Sequence, residues 1–374
     1  MPIAYLDHAA TTPMRPEAVD ALLPFLSERF GNPSGAHAHG RDARRAVDDA
    51  RDEVGAALGC EPGEVVFTSG GTEADNTAVR TGASRRTVCS AVEHHAVLEP
   101  ALAAGGVTIG VGGDGVIDLD ELAEALDDDV GLVSVMLVNN EVGTIQPLSD
   151  VAKVVRDLAP RAVLHTDAVQ ALPWLDVRAD AADADLVSLS AHKIGGPKGV
   201  GALVVRDGTP FVPLLRGGGQ ERERRAGTQP VGLIVAFAVA LTATVEERDA
   251  AVVRIGALRD RLVDGLLTGI DGCIATGARA GTVAGIAHVC IPGVDAEALL
   301  FLLEQGGVLA SAGASCSSGA LEASHVLDAM GVAPRLAKGS LRLSLGHAST
   351  AADVDRALEV VAPAVERLRR HGGG

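Results

Sequence analysis

Lys193 stands just past a run of small and apolar residues, Asp185 to Ser190, and is followed by the glycine-rich turn Gly195-Gly-Pro-Lys-Gly-Val-Gly201. That order predicts a buried strand delivering one lysine to a turn, with Ser190 and His192 beside it. A lysine at the edge of a core loses solvation, so its pKa falls and its free amine becomes a nucleophile able to form a Schiff base. A lone lysine in a polar turn is ordinarily just solvated, and its company has to decide. Lys153, Lys198 and Lys338, the other lysines, lie on a helix, among glycines and ahead of a late strand, and none directly follows a buried strand.

The company sits after the other apolar runs. Val65 to Phe67 leads into Thr68-Ser-Gly-Gly-Thr-Glu-Ala-Asp-Asn76, where free backbone N–H groups at a helix start would cradle a phosphate. Thr87 to Val92 leads into Glu93-His94-His95, Val133 to Val138 into Asn139-Asn140-Glu141, and Ala162 to His165 into Asp167 and Gln170. Pyridoxal phosphate needs such a set: an amine for its aldehyde, a carboxylate at its pyridine nitrogen, a flat group over the ring and donors for its phosphate. Lys193 would supply the amine and Asp167 the carboxylate. Either His94 or His95 would stack, Gln170 would reach the phenolic oxygen, and Gly71, Thr72, Ser190 and His192 would hold the phosphate.

These residues meet only if the runs are strands of one sheet. From Val65 to Val205 strand-like runs alternate with helical ones: Glu73 to Arg80, His95 to Ala104, Leu119 to Leu126 and Leu148 to Leu158. That alternation predicts an α/β fold with a mostly parallel sheet covered by helices on both faces, and the ligand outside the carboxyl ends of its strands. Upstream, helices are expected over Pro16 to Arg29 and His39 to Leu58. Val231 to Val245 reads as a buried helix begun by Pro230, too short to span a bilayer. From about Ala250 the pattern changes to a long helix, strand-like runs near Thr282 to Ile291 and Ser340 to Leu345, and further helices. The expected division is a large cofactor-binding domain over 14–250 and a smaller α+β domain from 1–13 and 251–374.

With 32 basic against 49 acidic residues the net charge is -17, which opposes nucleic acid and anionic membranes as direct partners. Aromatic residues make up only 2% against 47% hydrophobic, so the core must be built from Ala, Val and Leu. No G-x-x-x-x-G-K-[ST] phosphate loop is present, and no Cys/His spacing suits a metal. Met1 to Pro13 has no secretory pattern, and Cys60, Cys89, Cys273, Cys290 and Cys316 are odd in number and widely spaced, so a reducing cytoplasm is expected. Cys89 and Cys290 lie in strand-like runs and read as small hydrophobes. Cys316 differs, because the small residues of Ser311-Ala-Gly-Ala-Ser-Cys-Ser-Ser-Gly319 leave its sulfur accessible.

Taken together these segments resemble the cysteine desulfurases of the class V aminotransferase group, of the bacterial housekeeping and nitrogen-fixation type. The resemblance runs from YLDHAATTPM at Tyr5 through FTSGGTEADN at Phe67, NNEVGTIQP at Asn139, HTDAVQ at His165, SLSAHKIGGPKGVG at Ser188 and GGGQERERRAGT at Gly217 to SAGASCSSG at Ser311 and SLRLSLGH at Ser340. It implies a fold-type-I pyridoxal phosphate homodimer that converts L-cysteine to L-alanine and leaves a persulfide on Cys316 for a sulfur-acceptor protein, an iron–sulfur scaffold or a tRNA thiolation enzyme. It makes Lys193 the Schiff-base lysine, His94 the stacking ring, Thr228 a phosphate contact from the neighbouring subunit, and Asn140 and Arg342 the holders of the substrate carboxylate. Two departures stand out: His347 follows Ser-Leu-Gly where a cation is common, and Arg-Ala-Gly-Thr replaces Arg-Ser-Gly-Thr. A selenocysteine lyase, a keto-acid aminotransferase of the same group and a non-catalytic sulfur-relay scaffold are the alternatives. The accessible cysteine weighs against transamination, and intact Lys193, Asp167 and Arg342 weigh against a scaffold.

Overall fold

Strands made only of apolar and small residues cannot face water on either side. Leu186–Ser190 is such a strand and is buried throughout, as is its neighbour Val163–Asp167, although that strand carries the polar His165, Thr166 and Asp167. They occupy the middle of a seven-stranded sheet in the order Val65–Thr68, Gly201–Val205, Leu186–Ser190, Val163–Asp167, Val130–Ser134, Arg86–Ser90 and Val107–Ile109. Only Gly201–Val205 runs against its neighbours, so the sheet is mostly parallel, as the alternating pattern requires. The computed structural model describes residues 3–313 and 324–371.

Helices cover the sheet and bring their small residues to it. Gly82, in the helix Gly71–Gly82, packs so closely that a Cβ there would lie 2.3 Å from Leu132 Cβ. A second, antiparallel sheet joins Ser340–Ser344, Ile286–Cys290 and Ile274–Ala275. Ala4–Tyr5 pairs with Val308–Leu309, and Asp7 bridges to Ser344, so the first residues of the chain lie against its last third. Among the described residues no helix is long and apolar enough to cross a membrane.

Two helices depart from expectation. The first ends at Leu22 and continues as a tighter turn over Leu23–Leu26, because Pro24 lacks the N–H an α-helix would need. The helix begun after Pro230 does not stop near Val245 but runs unbroken from Val231 to Gly269. Its charged stretch Glu246-Glu247-Arg248-Asp249 is anchored instead of broken: Glu247 pairs with Arg15 at 2.9 Å and Arg248 with Asp176 at 3.4 Å. Positions 250 and 251 therefore fall inside one continuous helix.

Candidate active site

Parallel strands deliver their carboxyl ends to one edge of the sheet, and there a cavity of about 420 Å³ opens. Asp167 and Ser190 close their strands at its floor, and His192, Lys193 and Gln170 follow one turn later on its wall. Gly71 and Thr72, at the start of a helix, His94, Asn140 and Arg342 line the same space. Ten of the twelve residues singled out in the sequence thus line one space. Thr228 is exposed and does not line it, and Cys316 lies outside the described residues.

Lys193 Nζ donates to the backbone oxygens of Ala9 and Ala10 at 2.5 and 2.8 Å. Burial brings its pKa down to about 8, helped by the nearby charge of Arg342 and opposed by Asp167 and Asp7. Asp167 is pushed up to about 6 by burial, against the Val169 N–H it accepts at 2.8 Å and the charge of Lys193. An amine that readily loses its proton therefore faces a carboxylate that can keep one close. Gln170 Nε2 donates to Ala9 O at 2.7 Å, which fixes the side chain that carries its amide into the cavity.

His94 caps the helix His95–Ala103, its Nδ1 accepting from Ala96 N at 3.1 Å, so the ring's proton sits on Nε2. Burial, then the charge of Lys193, lowers its pKa to about 4 and keeps the ring neutral. His95 points away: it is exposed and packs beside His325 at 4.7 Å between ring centroids. Of the two imidazoles, His94 lines the cavity and His95 does not.

At the opposite end Gly70, with φ of 150°, ends the loop and offers no side chain to cap the helix Gly71–Gly82. The first N–H groups of that helix have no intrahelical partner and carry the positive end of its dipole. A Cβ at Gly71 would come within 2.9 Å of Val169 Cγ2, so only glycine fits there without a shift. His192 Nδ1 meets Thr11 Oγ1 at 3.2 Å, and burial lowers its pKa to about 4, leaving a neutral ring beside Ser190.

Arg342 is 5% exposed. Its Nη2 pairs with Asp7 Oδ1 at 2.9 Å and its Nη1 donates to Asn140 O at 2.9 Å, while Nε has no partner. Arg342 lines the cavity with its guanidinium fixed on two sides, the charged counterpart a carboxylate would meet. His347 lies on the other side of Lys193, in a separate small cleft with His8 and Trp174, and does not line the larger cavity.

The class-V aminotransferase family model matches residues 4–357. The chain belongs to the class-V aminotransferase family. It is 45% identical to the IscS-like cysteine desulfurase of Mycobacterium tuberculosis, the match covering 98% of each chain. A solved NifS-like protein superposes with a TM-score of 0.92 at 35% identity, covering 98% of this chain and all of the other. The structure of SspA in complex with cysteine follows with a TM-score of 0.80 at 30% identity, over 93% of this chain and 100% of that one.

Several residues of this class-V aminotransferase site carried no assignment in the sequence. Asp7 escaped because its partner Arg342 is 335 positions away. Met136 lines the cavity two residues past the strand Val130–Ser134, and in the sequence it reads as an ordinary apolar residue. Asp75 and Glu93 lie inside quoted motifs, yet a buried acid and a solvated one look alike in a sequence; both are buried, at 1% and 0% exposure.

Proposed function

We propose that the chain is a cysteine desulfurase that uses pyridoxal phosphate to convert L-cysteine to L-alanine and collects the sulfur on Cys316. The observation that carries this reading is one cavity lined by the desolvated Lys193, by Asp167 and by the guanidinium of Arg342. The donor set fits the cofactor. The uncapped N–H groups of Gly71 and Thr72, with Ser190 and His192, suit a phosphate; the glycine space at Gly71 is what a backbone approach needs; and Asp167 suits a protonated ring nitrogen. Bound there, pyridoxal phosphate supplies an aldehyde for the amine and an electron sink for the carbanion at Cα.

The chain's own residues then divide the work. Arg342, steadied by Asp7, takes the substrate carboxylate and sets the direction of Cα. Lys193, as neutral amine, removes the Cα proton and can return one to the same carbon. Neutral His94 closes the ring face against water, and Asp167 keeps a proton at the ring nitrogen. The Cys316 thiolate attacks the substrate sulfur: the S–S bond forms, the Cβ–S bond breaks, and Cβ keeps the electron pair and takes a proton. The sum is cysteine plus a thiol giving alanine plus a persulfide, with no outside oxidant.

Thr228 is assigned to the site of a second copy, because it is exposed and stands apart from its own cavity. Its segment is pinned for such a role. Glu221, Arg222 and Glu223 hold φ of 48°, 56° and 67°, a conformation costing about 1–3 kcal/mol each in a non-glycine residue. The buried pair of Arg51 with Glu221, at 2.8 and 2.9 Å, and the Phe67 N–H donated to the same carboxylate hold it there. The persulfide is passed to an iron–sulfur scaffold or a tRNA thiolation enzyme in the cytoplasm. Incubation of the cofactor-loaded protein with L-cysteine and excess thiol tests the reading. Alanine and sulfide should appear in equal amounts; alanine that depends on an added keto acid, or pyruvate in its place, would refute it.

A further inference from the structure

Beneath Asp167 the sheet carries a row of polar side chains that the proposed reaction does not use. Ser134, His165 and Ser188 lie on three neighbouring strands, with Ser134 opposite His165 and Asp167 opposite Ser188. His165 Nδ1 meets Ser134 Oγ at 2.8 Å and its Nε2 meets Ser188 Oγ at 2.9 Å. His165 and Asp167, two apart on one strand, project to the same face. An acid stands at each end of the row: Ser134 faces Glu93, and Ser188 faces Asp75.

Three acids are thus buried together, Asp75, Glu93 and Asp167, at 1%, 0% and 5% exposure. Asp75 Oδ1 and Glu93 Oε2 have no hydrogen-bond partner, and an ionised carboxylate left in that state costs several kcal/mol. The surrounding groups bring little positive charge. His165 lies 3.6 Å from Asp75 Oδ1 but is held neutral, its pKa lowered to about 3 by burial, and His94 is neutral as well. The Cys89 thiol on the next strand stays protonated, pushed up to about 12 chiefly by burial. Arg342 is paired with Asp7, which leaves Lys193 as the cation facing the three acids. One lysine balances one carboxylate. Asp167 is that carboxylate, since it alone combines the charge of Lys193 with the Val169 N–H.

We propose that Asp75 and Glu93 are held as neutral carboxylic acids, joined through Ser134, His165 and Ser188, and that they confine the negative charge under the cavity to Asp167. Burial, then the charge of Asp167, drives Asp75 well above the ordinary carboxyl range. Burial drives Glu93 the same way, against the N–H it accepts from Met136 at 2.6 Å. Toward the cofactor both are positioning residues, fixing the one charge that meets the ring nitrogen. That role rests on the proposed function, whereas their protonation does not.

Infrared spectroscopy of the cofactor-free protein at pH 7 reads the protonation directly. The wild type should show the carbonyl stretch of buried protonated carboxyl groups, and Asp75→Asn and Glu93→Gln should each remove one component. Absence of the band from the wild type, or its full retention in either variant, would overturn the proposal. If a variant does not fold, wild-type protein labelled with ¹³C in the aspartate or the glutamate carboxyl carbon decides, because each label should shift one component and a label that shifts none counts against it. The loaded protein tests the positioning role. Asp75→Ala should move the pH midpoint of its visible absorbance at least threefold in proton concentration, and Asp75→Asn should restore it; one midpoint for all three proteins would contradict the role. If no visible band forms on adding pyridoxal phosphate, the proposed function fails while the infrared bands still decide the protonation.

Discussion

At Lys193 two opposing demands meet. Its amine must be free to react, which requires losing water, yet a buried ammonium is costly unless it can shed its proton. The structure meets both by setting Nζ among the backbone oxygens of Ala9 and Ala10, within reach of the charge on Asp167. The pKa of about 8 has a sign that can be checked. A lysine is reactive above its pKa, so the rate at which cofactor-free protein takes up pyridoxal phosphate should rise with pH to a half-point near 8. The unfolded chain keeps that proton to higher pH, so folding stability from this group grows as pH rises through the same point. Stopped-flow absorbance across pH 6.5 to 10 reads the rate; a half-point near 10, as for a solvated lysine, would remove Lys193 from its role. The place of Lys193 in the cavity was legible because it directly follows a strand whose small and apolar residues mark its burial. The steadying of Arg342 by Asp7 was not, because nothing local in either segment marks the pair.

At the scale of elements, the helix Gly71–Gly82 starts without a cap and without a Cβ in the way, which suits the phosphate of the proposed reading. Gly71→Ala places a methyl 2.9 Å from Val169 Cγ2, and Val169 is β-branched with little freedom to turn aside. Pyridoxal phosphate affinity should fall about tenfold, ~1.4 kcal/mol. Adding Val169→Ala should return most of it, whereas a loss that persists in the double variant would mean the glycine serves something other than space. Equilibrium titration of the cofactor's absorbance measures both. The short buried strands and the helices between them were legible because each strand is a run of mostly apolar or small residues and each helix carries its own period. The strand Val107–Ile109 was not, since it closes the edge of the sheet with two of its three residues exposed and shows no buried pattern. The joining of two expected helices into Val231–Gly269 was hidden as well: charged residues do not break a helix when other elements supply their partners.

At the scale of the whole molecule, the role proposed for Thr228 requires a second copy of the chain. If Thr228 serves the cavity of a second copy, a variant lacking Lys193 and a variant lacking Thr228 are each defective for different reasons. Mixed by unfolding and refolding together, Lys193→Ala and Thr228→Ala chains should form hybrid dimers holding one complete site, in which Lys193 of one chain meets Thr228 of the other. Activity of the mixture should rise several-fold above the sum of the separate variants. A mixture no better than that sum would place Thr228 outside the site. The same scale holds the central claim, that the substrate sulfur ends on Cys316, far along the chain from Lys193. Mass spectrometry after a single turnover with one equivalent of L-cysteine tests it most directly. One added sulfur atom should be found on the peptide carrying Cys316, with one equivalent of alanine released, and the Cys316→Ser protein should keep its cofactor absorbance yet gain no sulfur. Sulfur on another cysteine, or undiminished sulfide release from Cys316→Ser, would contradict the account.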